Sequence, residues 1–161
     1  MAIALQTTYY NTPIGTAEII GDATGIQSVR VLEEVIATSK NTPDCLQECV
    51  QQLKEYFLGE RTNFSVTLQP KGTEFQQKVW KQLQEIPFAK TTSYLEQSKK
   101  FGNVKAIRAL ASANGKNPIW ILIPCHRVIG SDGSLTGYAG GIWRKKWLLA
   151  HENPVKQQTL F

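Results

Sequence analysis

The sequence predicts an α+β fold in two parts. A small N-terminal antiparallel sheet with one helix is followed by a mostly helical domain that holds a helix-turn-helix and a reactive cysteine. Three observations carry this prediction. Turn signals break residues 2–32 into short β-type runs, and apolar residues recur at helical spacing after Thr42. Past a composition break at Gln69-Pro70-Lys71-Gly72, capping residues then start one short helix after another. A length of 161 residues suits one domain or two small ones. We place the parts at 1–70 and 71–155, with 156–161 as a tail.

Ala2–Tyr10 is rich in Thr and Tyr, and N-T-P-I-G turns it back into Thr16–Ile20. G-D-A-T-G makes the next turn, and Ile26–Leu32 completes a meander. Thr42 with Pro43 at the first helical position starts a helix, whose stripe is Leu46, Cys49, Val50, Leu53 and Phe57. Gly59 ends it, and Phe64–Leu68 reads as a returning strand.

Thr73 with Gln76 three residues later is a capping box. Phe75, Val79 and Leu83 line the face of its helix, and Ile86-Pro87 stops it. Ser93 with Glu96 is a second box, for a helix running to about Phe101, where Gly102 can turn left-handed. Asn103 caps a helix over 104–114, and the pair forms a helix-turn-helix candidate. Val104, Ile107, Leu110 and Ala111 are expected inside. Lys105, Arg108 and Ser112 are expected outside, among the small residues Ala106, Ala109 and Ala113. Such a face suits close approach to a nucleic-acid groove; the plainer alternative is a packing helix with a solvated basic edge. G-Y-A-G-G at 137–141 is a flexible loop without the lysine and spacing of a phosphate loop. Ile142–Glu152 is a helix with Leu148 and Leu149 inward, and 153–161 reads as a loose end.

The net charge is +5, and its position matters more than its size. Lys99, Lys100, Lys105, Arg108, Lys116 and Arg127 cluster, followed by Arg144, Lys145 and Lys146, which suggests phosphate contacts. No apolar run approaches the ~20 residues of a membrane span. The N-terminus lacks the pattern of a signal peptide, so a cytoplasmic protein with no membrane partner is expected. Cys45, Cys49 and Cys125 are an odd number and give no disulfide framework and no structural metal set.

The chemistry centres on Asn117–Gly130, where the apolar run Ile119–Ile123, read as a buried strand, leads through Pro124 into Cys125, His126 and Arg127. A thiol is mostly protonated at neutral pH, and burial makes that worse, so the site must supply a base. His126 is the adjacent imidazole. This leaves two readings open, a cysteine hydrolase and a cysteine that accepts an alkyl group.

P-C-H-R-V-I-G (124–130), with Asn117-Pro118 before it and G-Y-A-G-G and L-L-A-H-E (148–152) after it, resembles the O6-alkylguanine-DNA alkyltransferases. G-T-E-F-Q-Q-K-V-W (72–80), T-S-Y (92–94) and A-I-R-A (106–109) are similar to the family's C-terminal domain. Y-Y-N-T-P-I-G (9–15) and Q-Q-L-K-E-Y-F-L-G-E-R (51–61) are similar to its N-terminal domain, which implies an RNase H-like fold there.

The resemblance implies a monomer that binds double-stranded DNA through the minor groove and flips out an O6-alkylguanine, possible substrates extending to O4-alkylthymine. Cys125 takes the alkyl group, once per molecule and without a cofactor. His126 acts as base through a water, Glu152 orients His126, and Tyr94 donates towards the flipped base. Arg108 fills the gap in the base stack, with Lys105, Ser112, Ala106, Ala109 and Arg127 on the DNA side. Asn117 ties the recognition motif to the cysteine segment. Val128 offers a backbone carbonyl to the base, and Tyr138, Ala139 and Gly140 close over it. Four positions depart from relatives. Ala139 stands where some have serine, Ala89 where glycine is frequent, and Asn114 where some are apolar and bulkier. Trp120 stands where smaller residues or proline are common, and is expected to narrow the base pocket. The zinc-binding cysteines of some members have no match, so no metal is expected. A Cys-His-Glu hydrolase and a non-catalytic lesion binder are the competing classes.

Overall fold

The computed structural model describes residues 4–154; the expected tail at 156–161 lies outside them. Contacts divide the chain into two compact units, one of residues 1–71 with 118–120, the other of 72–117 with 121–161.

The first unit is a meander of β1 (Gln6–Thr12), β2 (Gly15–Asp22) and β3 (Gly25–Leu32), with β2 in the middle. Period-two alternation brings Tyr9, Glu18 and Arg30 side by side on one face. There Arg30 Nε donates to Glu18 Oε1 at 2.6 Å and the Tyr9 hydroxyl to Oε2 at 3.3 Å. Helix α1 (Asp44–Phe57) buries Leu46, Cys49, Val50, Leu53, Tyr56 and Phe57. Each large apolar side chain so buried contributes about 1.5–3 kcal/mol. Pro43, not Thr42, is the N-cap, and no side chain caps the helix. Phe64–Leu68 is not a strand: a single parallel bridge joins Leu68 to Ile26. Gly25 is required at this crossing, because its φ is +150° and a Cβ would come within 2.9 Å of Thr67 O.

The Ile119–Ile123 run is not a strand either. Ile119 makes one bridge to Val29 of β3, flanked by Val29 N–H to Pro118 O at 3.0 Å and Trp120 N–H to Val29 O at 2.8 Å. Ile121 then turns left-handed at φ 70°. For a β-branched residue that conformation costs on the order of 1–2 kcal/mol, and near-complete burial of the side chain, 1% exposed, holds it.

The second unit begins with α2 (Glu74–Leu83), whose Thr73–Gln76 capping box is fully formed. Its Trp80 is buried and donates its indole N–H to Ala113 O at 2.9 Å. The helix stops at Leu83, before Ile86-Pro87. A two-residue strand, β4 (Thr92–Ser93), leads into α3 (Tyr94–Phe101), with Ser93 accepting from Glu96 N–H. Gly102 is left-handed at φ 100°, and Asn103 accepts from Lys105 N–H. The next helix opens with a 3-10 turn over Val104–Ala106 before α4 (Ile107–Gly115). That changes which side chains face in: Leu110, Ala113 and Asn114 are buried, whereas Val104 and Ala111 are exposed, against expectation. Beyond it come β5 (Val128–Ile129), parallel to β4, and α5 (Ile142–Glu152).

Asn114 is buried with a polar partner of its own. Its amide and that of Gln97 exchange two buried hydrogen bonds, at 2.8 and 2.9 Å, between α3 and α4. Asn114→Leu should strand the Gln97 amide and destabilise the fold by about 1–3 kcal/mol. The double change Gln97→Leu with Asn114→Leu should recover most of that, because no polar group is left unpaired. Denaturant midpoints of the parent, Asn114→Leu, Gln97→Leu and the double variant test this, and simple additivity would refute it.

Candidate active site

The site belongs to the second unit and is built on a 3-10 turn, Cys125–Arg127. The turn, not an extended strand, lets adjacent residues serve different partners. Cys125 Sγ accepts from Asn117 Nδ2 at 3.4 Å, and the same amide donates to Ile123 O at 2.7 Å. Asn117 thereby fixes both the sulfur and the backbone leading to it. Burial pushes the Cys125 thiol above its ordinary value of 9.0, and the Asn117 bond and the nearby Lys145 charge only partly oppose it. The resting group is a thiol, so a base is needed.

His126 and Glu152 are both buried, the imidazole completely. Nε2 of His126 lies 2.7 Å from Glu152 Oε2. Burial works to raise the Glu152 pKa, but hydrogen bonds and charge from His126 and Arg127 outweigh it and hold the carboxyl far below its ordinary 4.5. An ionised carboxylate only accepts, so Nε2 carries the proton and Nδ1 presents the lone pair. Nδ1 is buried and, among the described residues, has no hydrogen-bond partner. Burial lowers the His126 pKa from 6.5; the Glu152 bond pulls the other way, while Arg127 and Lys145 reinforce the drop. A neutral imidazole with a fixed tautomer is the form a base requires.

Arg127 corrects its assignment to the DNA side. It is 6% exposed and grips Glu152 bidentately, Nε to Oε1 at 2.9 Å and Nη2 to Oε2 at 3.1 Å. Its Nη1 donates to Ile86 O at 2.7 Å. As the last residue of a buried turn, Arg127 meets the Glu152 carboxylate rather than solvent. Ala89 joins the same cluster: its N–H points to Glu152 Oε1 at 3.4 Å, in a left-handed conformation at φ 66°. That conformation suits glycine better than alanine.

The β4–β5 pairing aligns Thr92 with Val128 and Ser93 with Ile129. Val128 is fully buried there, and Tyr94, the first residue of α3, follows directly. The Tyr94 hydroxyl donates to Thr136 O at 3.2 Å, and burial raises its pKa, with the Cys125 sulfur contributing. Lys145 belongs to the basic cluster expected to contact phosphate, yet it is 1% exposed. Its ammonium donates to Thr136 O at 3.0 Å and lies 5.8 Å from the Tyr94 ring centroid. Burial lowers its pKa and the Cys125 sulfur opposes that. Its signal was in the sequence: Lys145, Leu148, Leu149 and Glu152 share one face of α5, all buried.

The remaining expected residues divide. Tyr138 is half-buried, Ala139 is exposed, and Gly140 O accepts from Arg144 Nη1 at 2.8 Å. Lys105, Arg108, Ala109 and Ser112 are exposed on or before α4, and Ala106 is half-buried. Trp120 belongs to the first unit, where it is buried with its ring centroid 6.4 Å from that of Phe57. Among the described residues no group of three His, Cys, Asp or Glu could hold a metal ion.

Two family models cover most of the chain. "6-O-methylguanine DNA methyltransferase, ribonuclease-like domain" matches residues 5–70, and "6-O-methylguanine DNA methyltransferase, DNA binding domain" matches residues 74–154. The chain belongs to the 6-O-methylguanine DNA methyltransferase family. It is 44% identical over 148 residues to a methylated-DNA–protein-cysteine methyltransferase of Methanosarcina acetivorans, covering 89% of this chain and 95% of that one. To the protein of that name in Mycobacterium tuberculosis it is 47% identical over 146 residues, 88% of each chain. The crystal structure of the Mycobacterium tuberculosis O6-methylguanine methyltransferase superposes with a TM-score of 0.82 at 40% identity, covering 98% of this chain and all of that one. A structure of the Mycobacterium tuberculosis protein in complex with DNA superposes at 0.81, with 45% identity and 91% of each chain covered. Family membership makes DNA the partner of the second unit. Among the described residues no helix is long and apolar enough to cross a membrane.

Proposed function

We propose that this chain repairs DNA by moving the alkyl group of O6-alkylguanine from duplex DNA onto Cys125, once per molecule. The observation that carries this reading is the fixed, neutral His126. Glu152 holds one ring nitrogen, the other is open as an acceptor, and the adjacent thiol is held by Asn117.

The step balances as a displacement. His126 Nδ1 takes the Cys125 proton, directly or through one water. The sulfur attacks the alkyl carbon, forming the S–C bond as the O6–C bond breaks. The departing guanine keeps the electron pair and receives a proton, with Tyr94 the donor beside it. Lys145 adds positive charge near the sulfur, and Glu152 stabilises the imidazolium that forms. A thioether is not hydrolysed by this machinery, so the protein is spent. The α4 face bearing Arg108 enters the minor groove, where Arg108 takes the place of the flipped base and Val128, Tyr138, Ala139 and Gly140 contact that base. The protein acts as a monomer in the cytoplasm.

Intact and peptide mass spectrometry after incubation with an O6-methylguanine duplex tests this reading. One added methyl group on Cys125 is expected, with DNA product equal to protein. An unmodified Cys125, or product in large excess over protein, would overturn it.

Arg108→Ala should slow repair by about 10–100-fold, on the scale of a lost charged contact of ~1.5–3 kcal/mol. Fold stability should change little, because the residue is exposed. The salt dependence of binding should lose up to about 0.9 units of slope if Arg108 neutralises one phosphate. Single-turnover rates and binding across a salt series check this, and an unchanged repair rate would remove Arg108 from the mechanism.

A further inference from the structure

The loop 136–141 is held at both ends by the first turn of α5. At its start, Thr136 O accepts from Lys145 Nζ at 3.0 Å and from the Tyr94 hydroxyl at 3.2 Å. Tyr94 directly follows β4, which pairs with the strand that leaves the Cys125–Arg127 turn, so this end lies on the cysteine side of the unit. At the other end, Gly140 O accepts from Arg144 Nη1 at 2.8 Å. Arg144 is 4% exposed although it sits near the start of a surface helix. Its guanidinium lies 4.4 Å from the ring centroid of Trp143, which is 56% exposed. A Cβ on Gly141 would meet that ring at 3.3 Å. The tryptophan thus covers the guanidinium and rests on the end of the loop. A cation stacked on an indole and shielded from water keeps its hydrogen bond in one geometry.

We propose that Arg144, held by Trp143, is a positioning residue that clamps the end of the 137–141 loop and so limits the size of the group that reaches Cys125. The inference deepens the reading above, whose pocket this loop would close. The roles of the two pins differ. Lys145 acts on the sulfur's charge as well as on the loop, whereas Arg144 grips the far end of the loop at Gly140 O. Loosening the Lys145 pin should therefore change intrinsic reactivity, and loosening the Arg144 pin should change selection by size.

The test uses the full chain and the variants Arg144→Met, Arg144→Lys and Trp143→Leu, with two readouts. The first is the ratio of single-turnover rates on duplexes carrying O6-benzylguanine and O6-methylguanine. The second needs no DNA: the ratio of Cys125 labelling by N-benzylmaleimide to labelling by iodoacetamide, read at the Cys125 peptide. Arg144→Met should raise both ratios by about tenfold, the scale of a charge-assisted hydrogen bond. Trp143→Leu should raise them less, and Arg144→Lys, which keeps a cationic donor, should return them towards the parent value. Ratios unchanged in Arg144→Met, or Arg144→Lys as altered as Arg144→Met, would overturn the clamp. If the labelling ratio rises while no variant and no parent takes a group from DNA, the clamp stands and the proposed function falls.

Discussion

Cys125→Ser is expected to abolish alkyl transfer while leaving duplex binding and the fold in place. Serine keeps the shape of the turn and an acceptor for the Asn117 amide, which now lies 3.4 Å from the sulfur. Its hydroxyl, however, is a far weaker acid than a thiol. His126, held neutral by burial, has no driving force to ionise it. The loss should exceed the 10²–10⁴-fold, roughly, that removal of a general base brings, because here the bond-forming atom itself changes. Mass spectrometry after prolonged exposure to an O6-methylguanine duplex should show no added group at residue 125. Binding to the same duplex should stay within about twofold, since the turn is not on the exposed face of α4. A serine variant that still removed the alkyl group would mean that another residue accepts it. Loss of binding as well would mean that the turn, not the sulfur, is what the change disturbs.

The parts of the fold set by local chemistry could be read from the chain. The Thr73–Gln76 box, the left-handed Gly102 and the Leu46–Phe57 stripe each depend on residues a few positions apart, and all three are present. Where the outcome depended on distant partners, reading failed in an instructive way. An apolar run such as Ile119–Ile123 reads the same whether it is a strand or a buried set of turns, and only the bridge to Val29 decides. Arg127 and Lys145 looked like surface charge because their partners, Glu152 and the Cys125–Thr136 pair, are remote in sequence or are backbone atoms. His126 and Glu152 lie 26 residues apart, and no periodicity links them; the resemblance did. Thus capping, stripes and the reactive motif were legible, and the charges that tune the motif were not.

The second large effect is expected at Glu152, where three groups meet. His126, Arg127 and the Ala89 N–H all direct a donor at its carboxylate. Glu152→Ala should leave Arg127 buried with its main charge partner gone, at a cost of about 3–5 kcal/mol. It should also free the His126 ring to take either tautomer, so alkyl transfer should fall even under conditions where the variant is folded. Glu152→Gln separates the two effects. It fills the same volume and can accept from one partner, but it carries no charge to stabilise an imidazolium. Its stability loss should be smaller than that of the alanine variant, with transfer still slowed.

The pH dependence gives a second readout. Glu152 has a folded pKa below its ordinary 4.5, so the unfolded chain binds its proton first, and stability is lost as pH falls below about 4.5. His126 also has a folded pKa below its ordinary 6.5, which adds an earlier loss as pH falls below about 6.5. The parent protein should therefore weaken in two windows on acidification. Glu152→Gln should keep a loss below about 6.5 and show a flatter profile below about 4.5, where the other carboxylates alone remain. Urea midpoints between about pH 3 and pH 8 measure both profiles. If the lower window is as steep in Glu152→Gln as in the parent, the buried carboxylate is not the group that acid protonates, and the charge balance assigned to His126 would have to come from elsewhere in the turn.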